Sequence, residues 1–565
     1  MNIALQGQQI WAARRAYQAG QIDSAHAIAV EILRHDGLNL DALEIKALAE
    51  LHRGDDPAAE KTLRLAVSCA LGQGWPYAGL SELLKRQGRV QEAEAVTRAA
   101  LAVNPNDADA HEKLGMLLAM RMKAHDAATH FRRAMEIEGP QPQLLTRLGH
   151  ALLRLGWLDE AREPLETAAA SPDSYEAVVY LAELEERLGN FDAAMALLDR
   201  ADAIPRPAGS MGLSRPRSVL LARMGKHDEA LALLENKAEL SGAAQLHRGR
   251  LRQRAGRHAE AWSDWIEAKD RLRKEWHREY NADQIAALAE KLAAFFTSPA
   301  AADLPRAERR DDVPQPIFVA GSPRSGTTLT ERILASHSAV EAGGELPFGS
   351  EMEELAVTLA GGYWTFPAGL LRAESGWAGK LRDFYLAGAE KFGLFKSGAR
   401  YFTDKMPSND FWLPLLRIAF PESPIIFVRR HPLDVLTSIM AHEMTHGFYS
   451  AYRLEDAARH FALSDWLVEQ YRAAGLGPTC DLRYETLVAN QAEETARITA
   501  AVGLEMEPGQ LSFHETGAVP ATPSYEQVRR PLNDRSIGNW KNYAKEFEPI
   551  LPLLADAFAR GNYTV

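Results

Sequence analysis

The residues best suited to chemistry lie in one short loop, residues 321–328, which has the sequence GSPRSGTT. An apolar run, Ile317 to Ala320, precedes the loop and predicts a buried strand, and the segment from Leu329 to Ser336 predicts a helix after it. A strand, a glycine-bounded loop and a helix N-terminus together direct backbone N–H groups towards a phosphate. The loop adds hydroxyl groups from Ser325, Thr327 and Thr328. The segment therefore predicts a phosphate-binding site.

The two glycines of this loop have the spacing of a nucleoside triphosphatase loop, G-x-x-x-x-G. That loop continues with a lysine, whereas Thr327 follows Gly326 here and the positive charge comes earlier, at Arg324. A magnesium-dependent kinase or ATPase is therefore the weaker interpretation. A glycine-rich turn without a ligand is weaker still, because the loop stands between a predicted strand and a predicted helix.

The motif from Pro323 to Thr328 resembles the 5′-phosphosulfate loop of sulfotransferases that use 3′-phosphoadenosine 5′-phosphosulfate (PAPS). The resemblance implies that PAPS is the sulfuryl donor and that no metal is needed. It also implies that the donor's 5′-phosphosulfate is bound by Arg324, Ser325, Gly326, Thr327 and Thr328.

Three later segments match the same family in the same order. In FVRRHPLDVLTS, Phe427 to Ser438, the resemblance implies that Arg430 and Ser438 bind the 3′-phosphate. In DLRYETLV, residues 481–488, it places a tyrosine near the nucleotide. The late segment, residues 524–542, resembles a loop that closes over the cofactor. The nucleotide contacts implied in the last two segments are Tyr484, Arg535, Trp540 and Lys541.

Sulfuryl transfer to a hydroxyl needs a base for the acceptor proton and a cation for the leaving phosphate. Glu345, in VEAGGELP, resembles the catalytic glutamate of protein-tyrosine sulfotransferases. Lys405 resembles the family lysine that stabilises the leaving oxygen, and Ser524 resembles a serine that assists it. His337 is a weaker alternative base, because many sulfotransferases use a histidine. Arginines that read an acidic peptide follow the glutamate in tyrosine sulfotransferases, and here residues 346–348 are Leu, Pro and Phe.

A literal H-E-x-x-H pattern, residues 442–446, allows a second interpretation. On a helix it would place two histidines on one face for zinc, with the glutamate as base. We consider a zinc protease improbable, because no third ligand is evident, and we predict no metal site.

The first half of the chain, before these motifs, contains a repeating pattern of glycine and alanine. Seven glycines recur 31 to 36 residues apart, and each is followed five residues later by an alanine. Met122 holds the one position of the series that lacks a glycine. Small residues at a fixed offset from a turn, with a period near 34, are typical of stacked tetratricopeptide hairpins. The glycines are Gly20, Gly54, Gly88, Gly156, Gly189, Gly225 and Gly256.

The predicted domain order is a helical solenoid at residues 1–275, a closing helix and linker at 276–315, and the sulfotransferase domain at 316–565. Short β-rich runs alternate with helical stretches after residue 316, which predicts an α/β, P-loop-like domain with a mainly parallel sheet. The order resembles that of bacterial proteins in which tetratricopeptide repeats precede a sulfotransferase domain. The main alternative function is a non-catalytic scaffold whose C-terminal domain only binds nucleotide.

Composition limits the partners. The 565 residues carry a net charge of −12, which argues against nucleic acid or an anionic membrane as a partner of the whole protein. We predict a cytoplasmic protein, since the N-terminus has no signal-peptide pattern, no apolar run reaches the length of a membrane span, and Cys69 and Cys480 are the only cysteines. The acceptor is open among peptide tyrosine, glycan, lipid and small phenol, and the repeats favour a protein or peptide. The sequence is compatible with a dimer without predicting one.

Overall fold

A computed structural model describes residues 3–69, 72–121, 123–235, 237, 239–275, 279–396, 398–444, 448–515 and 530–565. The chain divides into two compact units, Met1–Leu213 and Ser214–Val565. The first is built from antiparallel helical pairs, and the second combines two further helical pairs with a parallel sheet.

The first unit contains twelve helices within the described residues. They are α1 (Ile3–Gln18), α2 (Ile22–His35), α3 (Leu40–His52), α4 (Asp56–Cys69), α5 (Trp75–Arg86), α6 (Val90–Val103), α7 (Ala108–Met120), α8 (Ala124–Glu138), α9 (Pro142–Leu155), α10 (Leu158–Ala169), α11 (Tyr175–Leu188) and α12 (Phe191–Asp202).

The glycine–alanine period corresponds to the turns and contacts of these pairs. Each of the seven glycines has a left-handed φ, between 72° and 90°, in the turn between the two helices of a pair. The alanine five residues later is buried in every pair, including Ala127 after the position of Met122, which lies outside the described residues. A Cβ on Gly149 would lie 2.5 Å from Leu165, so the small residue is needed for the close approach of α9 and α10. The predicted tetratricopeptide array is confirmed.

Among its described residues, the second unit has a five-stranded sheet, with β1 (Gln315–Ala320), β2 (Val340–Glu341), β3 (Tyr401–Asp404), β4 (Ile425–Arg429) and β5 (Cys480–Arg483). Its helices are α13 (Ser214–Arg223), α14 (His227–Glu235), α15 (Gly242–Arg254), α16 (His258–Glu275), α17 (Ala282–Phe296), α18 (Pro299–Ala302), α19 (Thr327–Ala335), α20 (Phe348–Leu359), α21 (Trp377–Lys391), α22 (Leu413–Ala419), α23 (Pro432–Ala441), α24 (Leu454–Ala473), α25 (Tyr484–Ala489), α26 (Gln491–Ala501), α27 (Ala544–Phe547) and α28 (Leu551–Gly561).

All strand pairs are parallel, and the strand order is β2-β3-β1-β4-β5. Strand β1 is buried along its whole length, as a central strand covered on both faces should be. The chain moves from β1 to one side of the sheet for β2 and β3 and then to the other side for β4 and β5. The order therefore reverses between β1 and β4, and ligands of such sheets bind outside the carboxyl ends of the strands at this point. The predicted α/β fold with a parallel sheet is confirmed.

The segment predicted as a closing helix and linker packs into the second unit. Helix α17 buries Leu292 and Phe296 in the same hydrophobic core as Tyr471 of α24. Leu304 is also buried in that core, and Ala307 N donates a hydrogen bond to Ile418 O at 2.9 Å. The residues after the repeats are thus attached to the α/β core. The domain boundaries predicted from sequence stay a prediction.

Candidate active site

Each of the five strands has a predicted site residue or loop after its carboxyl end. The loop 321–328 follows β1, Glu345 lies just after β2, Lys405 follows β3, Arg430 follows β4 and Tyr484 follows β5. Because the carboxyl ends of parallel strands meet at one edge of a sheet, residues far apart in sequence are brought to the same edge.

The backbone of the phosphate loop is held in a conformation that its glycines permit. Gly321 has φ 141°, and a Cβ there would lie 2.5 Å from Val428 O on the neighbouring strand β4. Gly326 has φ 114° and precedes α19, and a Cβ there would lie 2.7 Å from the Tyr484 ring. Arg324 has φ 70°, a left-handed conformation that is uncommon for a residue with a side chain. Such strain is found mostly at functional sites.

The polar groups of the loop are suited to an anion. Ser325 is only 1% exposed, and its Oγ has no hydrogen-bond partner within the described part of the chain. Thr327 and Thr328 are buried in the first turn of α19, where helix N–H groups lack intrahelical partners. A buried hydroxyl without a partner is costly unless a ligand satisfies it. These residues therefore fit a phosphate or sulfate group.

The loop contacts the element predicted to bind the second phosphate. Arg324 Nε donates a hydrogen bond to Ser438 Oγ of α23 at 2.9 Å. Burial, and then the nearby charges of Arg430 and Arg250, lower the pKa of Arg324 to about 10. A cation whose pKa is lowered by neighbouring cations indicates a site built for negative charge.

Arg430 is buried at the end of β4, and it connects three segments. Its Nη1 donates to Arg324 O at 3.0 Å, its Nη2 donates to Ser536 O at 2.5 Å, and its guanidinium lies 4.5 Å from the Tyr484 ring centroid. The Tyr484 hydroxyl shares a 2.7 Å hydrogen bond with Ser536 Oγ. Arg430 Nε is buried without a hydrogen-bond partner among the described residues, as is Ser325 Oγ.

The predicted base and the predicted cation form an ion pair. Lys405 Nζ lies 2.5 Å from Glu345 Oε1, and the Lys405 side chain is fully buried while that of Glu345 is 16% exposed. Lys405 N donates to Gly344 O at 2.8 Å, which joins the backbones that carry the two side chains. The structure thus brings a carboxylate and an ammonium together at the edge that carries the phosphate loop.

A buried carboxylate that the sequence analysis missed supports this pair. Glu331, on α19, accepts hydrogen bonds at 2.9 Å from Gly344 N and from Thr403 Oγ1. Gly343 N donates to the same threonine hydroxyl at 3.0 Å. Burial raises the pKa of Glu331, and Lys405 opposes that rise. The only sequence signal was a glutamate inside an apolar helix, which periodicity alone does not distinguish from a surface residue.

The last residue of β3, Asp404, directly precedes Lys405 and is fully buried. Asp404 Oδ2 accepts hydrogen bonds from the Tyr385 hydroxyl at 2.7 Å and from Asn409 Nδ2 at 3.1 Å. Burial raises its pKa to about 7. Lys405, the next residue, bonds to Glu345, because the side chains of adjacent residues in an extended segment point to opposite faces.

The late segment is attached to α23 by a second missed residue, Asp434. Its carboxylate accepts hydrogen bonds from Gly538 N at 2.7 Å and from Trp540 N at 3.1 Å. Trp540 is buried, and its ring is stacked on His431 with the centroids 5.2 Å apart. Arg535 and Lys541 are exposed. Their predicted nucleotide contacts, like that of Trp540, stay predictions, and Ser524 lies outside the described residues.

Neither alternative based on histidine matches the geometry. His337 follows the C-terminal end of α19, away from the loop, and its Nε2 and Nδ1 bond to Glu505 O and Ala339 N, each at 3.0 Å. His442 follows the last residue of α23 and has an extended backbone, so the pattern does not begin within that helix. The second histidine of the H-E-x-x-H pattern, His446, lies outside the described residues.

Two kinds of feature are absent from the described residues. Within them, no group of three histidine, cysteine, aspartate or glutamate side chains is placed to hold a metal ion. None of the described helices combines the length and the apolarity that crossing a bilayer requires.

Comparison with known families divides the chain in the same way as its motifs. Residues 316–508 match the sulfotransferase family. Residues 12–77, 79–141 and 146–208 each match a tetratricopeptide repeat model.

Two related proteins extend the comparison. An Aquifex aeolicus protein described as "Uncharacterized protein" is 26% identical over 456 residues, which are 79% of this chain and 54% of that protein. The chain thus spans about half the length of that relative. A Caenorhabditis briggsae protein described as "Putative protein-tyrosine sulfotransferase" is 25% identical over 261 residues, 43% of this chain and 88% of that protein.

Among solved structures, a tetratricopeptide repeat protein from Parabacteroides merdae aligns with 42% of this chain and 96% of its own, with 21% identity and a TM-score of 0.38. The assignment of the two parts rests on the family matches and on the fold described above. The chain carries a sulfotransferase-family domain preceded by tetratricopeptide repeats.

Proposed function

We propose that the protein transfers a sulfuryl group from PAPS to a hydroxyl acceptor. The observation that carries this proposal is the 2.5 Å pair between Lys405 and Glu345 at the sheet edge that also carries the phosphate loop. Sulfuryl transfer, like phosphoryl transfer, depends on positioning, charge stabilisation and a base. In this pair, the ammonium of Lys405 can stabilise charge and the carboxylate of Glu345 can serve as the base.

The loop and the ends of β4 and β5 would hold the donor nucleotide. Residues 324–328 would bind the 5′-phosphosulfate, and Arg430 with Ser438 would bind the 3′-phosphate. Tyr484 would lie beside the nucleotide, with Arg535, Trp540 and Lys541 contributing from the late segment. When bound, PAPS would supply a sulfuryl group on a phosphate leaving group. The unsatisfied Ser325 Oγ and Arg430 Nε support this assignment, because each lacks a partner within the described residues.

Glu345 is proposed as the base that takes the acceptor hydroxyl proton as the new S–O bond forms. Lys405 is proposed to stabilise the leaving oxygen, with Ser524 assisting. An ammonium group has three donors, so Lys405 can keep its bond to Glu345 and still donate to a second oxygen. Glu345 is the more exposed of the two side chains. This suits a group that must reach an acceptor.

The acceptor is proposed to be a protein or peptide hydroxyl recruited by the repeats. Repeat arrays of this type present extended surfaces to other chains. A tyrosine acceptor is one form of the proposal, supported by the description of the C. briggsae relative. The residues after Glu345 are apolar, so they offer no charge for an acidic peptide. Labelled PAPS added to a cell lysate, followed by identification of the labelled product, tests this assignment.

Titration calorimetry with adenosine 3′,5′-bisphosphate and with ATP–Mg²⁺ tests the nucleotide assignment. We expect binding of the bisphosphate in wild type, at least about tenfold weaker binding in Arg324→Ala, and unchanged binding in Arg459→Ala, an exposed arginine of α24 paired with Glu455. Preference for ATP–Mg²⁺ would instead favour a kinase. Bisphosphate binding with no turnover in wild type would favour the non-catalytic scaffold.

We further propose a cytoplasmic protein. The thiols of Cys69 and Cys480 are both free, which suits a reducing compartment. Cell fractionation tests this proposal, and recovery outside the cytoplasm would contradict it.

A further inference from the structure

The last helical pair of the repeat region, α15–α16, belongs to the same compact unit as the sulfotransferase domain. Its apolar face shares one hydrophobic core with α23 and with the late segment. Trp262 and Trp265 each lie 5.3 Å, between ring centroids, from Tyr543. Aromatic contacts of this kind fix the position of α15–α16 against the domain.

Two cations of this pair reach the end of α23. Arg250 Nη1, from α15, donates to Ala441 O at 3.0 Å, and Lys269 Nζ, from α16, donates to His442 O at 2.7 Å. The last carbonyl groups of a helix lack intrahelical partners and carry partial negative charge. The two side chains therefore satisfy the C-terminal end of α23 by hydrogen bonds and by charge.

The end of α23 also carries the residue that contacts the phosphate loop. His442 Nδ1 donates to Ser438 O at 2.8 Å, and Ser438 Oγ accepts from Arg324 Nε at 2.9 Å. A continuous set of bonds thus runs from α15–α16 to the loop. Arg250 is close enough for its charge to help lower the pKa of Arg324, after burial and Arg430.

We propose that Arg250 and Lys269 are positioning residues of the nucleotide site, which hold the end of α23 so that Ser438 and Arg324 face the donor's phosphates. This inference rests on the proposed function. It means that the last repeat pair is a structural part of the transferase, so the repeat region does more than recruit an acceptor.

Charge supports the assignment independently of the hydrogen bonds. Lys269 is fully buried, and its positive charge adds to those of Arg324 and Arg250 around the end of α23. The pKa of His442 is lowered well below its usual value by burial and then by Arg324, Arg250 and Lys269. The imidazole is therefore neutral. Its environment is positive, as a site for a doubly phosphorylated ligand should be.

Titration calorimetry of the full chain with adenosine 3′,5′-bisphosphate tests the proposal. We expect Kd to rise at least about fivefold in Arg250→Met and in Lys269→Met. Arg250→Lys should recover most of the affinity, because it keeps a cation at the helix end. Lys274→Met is the matched control, since Lys274 is on the same helix and is 68% exposed, and we expect its Kd to equal that of wild type.

Melting temperatures measured in parallel separate this role from a merely structural one. A lower melting temperature in the methionine variants with an unchanged Kd would overturn the proposal, and so would equal losses of affinity in Arg250→Lys and Arg250→Met. Arg250 is only partly buried, so its variants remain informative if Lys269→Met fails to fold. Absence of bisphosphate binding in wild type would refute the proposed function itself, and the inference with it.

Discussion

The pair between Lys405 and Glu345 can be tested by a double-mutant cycle that needs no knowledge of the acceptor. Two unit charges 2.5 Å apart attract by about 7 kcal/mol at an effective dielectric constant of about 20. Most of this is offset by the loss of hydration. Removing one partner leaves the other buried without its counter-charge, which costs about 3–5 kcal/mol for a buried pair. Because the Glu345 side chain is 16% exposed, we expect the lower end, about 3 kcal/mol, for Lys405→Met.

The assay is urea unfolding of wild type, Lys405→Met, Glu345→Gln and the double variant. Glu345→Gln strands a fully buried ammonium, so its cost should lie nearer the upper end of that range, about 5 kcal/mol. The double variant leaves no stranded charge, so its cost should fall short of the sum of the single costs by about 2 kcal/mol or more. Additive costs, within about 0.5 kcal/mol, would refute the claim that the two groups interact.

Three further predictions concern the phosphate loop and the buried carboxylate of Asp404. Gly321→Ala should cost about 2 kcal/mol or more in urea unfolding and weaken bisphosphate binding, because the added Cβ would lie 2.5 Å from Val428 O. Arg324→Lys should bind the bisphosphate more weakly than wild type by calorimetry, since an ammonium cannot reproduce the fork of donors that a guanidinium presents to a phosphate. Burial raises the pKa of Asp404 to about 7, above about 3.9 in the unfolded chain. The folded state therefore binds the Asp404 proton more tightly than the unfolded chain does. The stability that this proton contributes is lost as pH rises from about 4 to about 7. Urea unfolding at several pH values should show this fall in the wild type and a smaller fall in Asp404→Asn.

Each of the three predictions has an outcome that would contradict it. Wild-type stability in Gly321→Ala would show that the loop can move away from β4 without cost. If Arg324→Lys binds the bisphosphate as tightly as wild type, positive charge alone determines binding at this position. An unchanged pH dependence in Asp404→Asn would place the titration in another buried group, such as Glu331, whose pKa is also raised by burial.

The repeats and the order of the site segments could be predicted from sequence because both depend on local rules. A glycine in a left-handed turn recurs in seven of the eight helical pairs, and a buried alanine at the fixed offset recurs in all eight, so the period alone indicated the architecture. The phosphate loop, Arg430 and Tyr484 each directly follow a strand, and the parallel sheet then brings them to one edge. Neither prediction required knowledge of long-range packing.

The remaining features depend on contacts between distant segments. Glu331 and Asp434 are polar residues of helices whose partners are backbone N–H groups more than ten and more than a hundred residues away. Strand β2 has two residues, too few to show a pattern. Helix α17 has an apolar face, but periodicity does not identify its partner, so packing against α24 could not be foreseen. The packing of α15–α16 against α23 could not be predicted from the sequence for the same reason.

The most direct test of the central claim is a crystal structure with adenosine 3′,5′-bisphosphate. We predict the 5′-phosphate in the loop at residues 321–328, with Ser325 Oγ donating to it, and the 3′-phosphate beside Arg430 and Ser438. Glu345 and Lys405 should border the space next to the 5′-phosphate. A nucleotide bound elsewhere, with Ser325 Oγ and Arg430 Nε still without partners, would contradict the account.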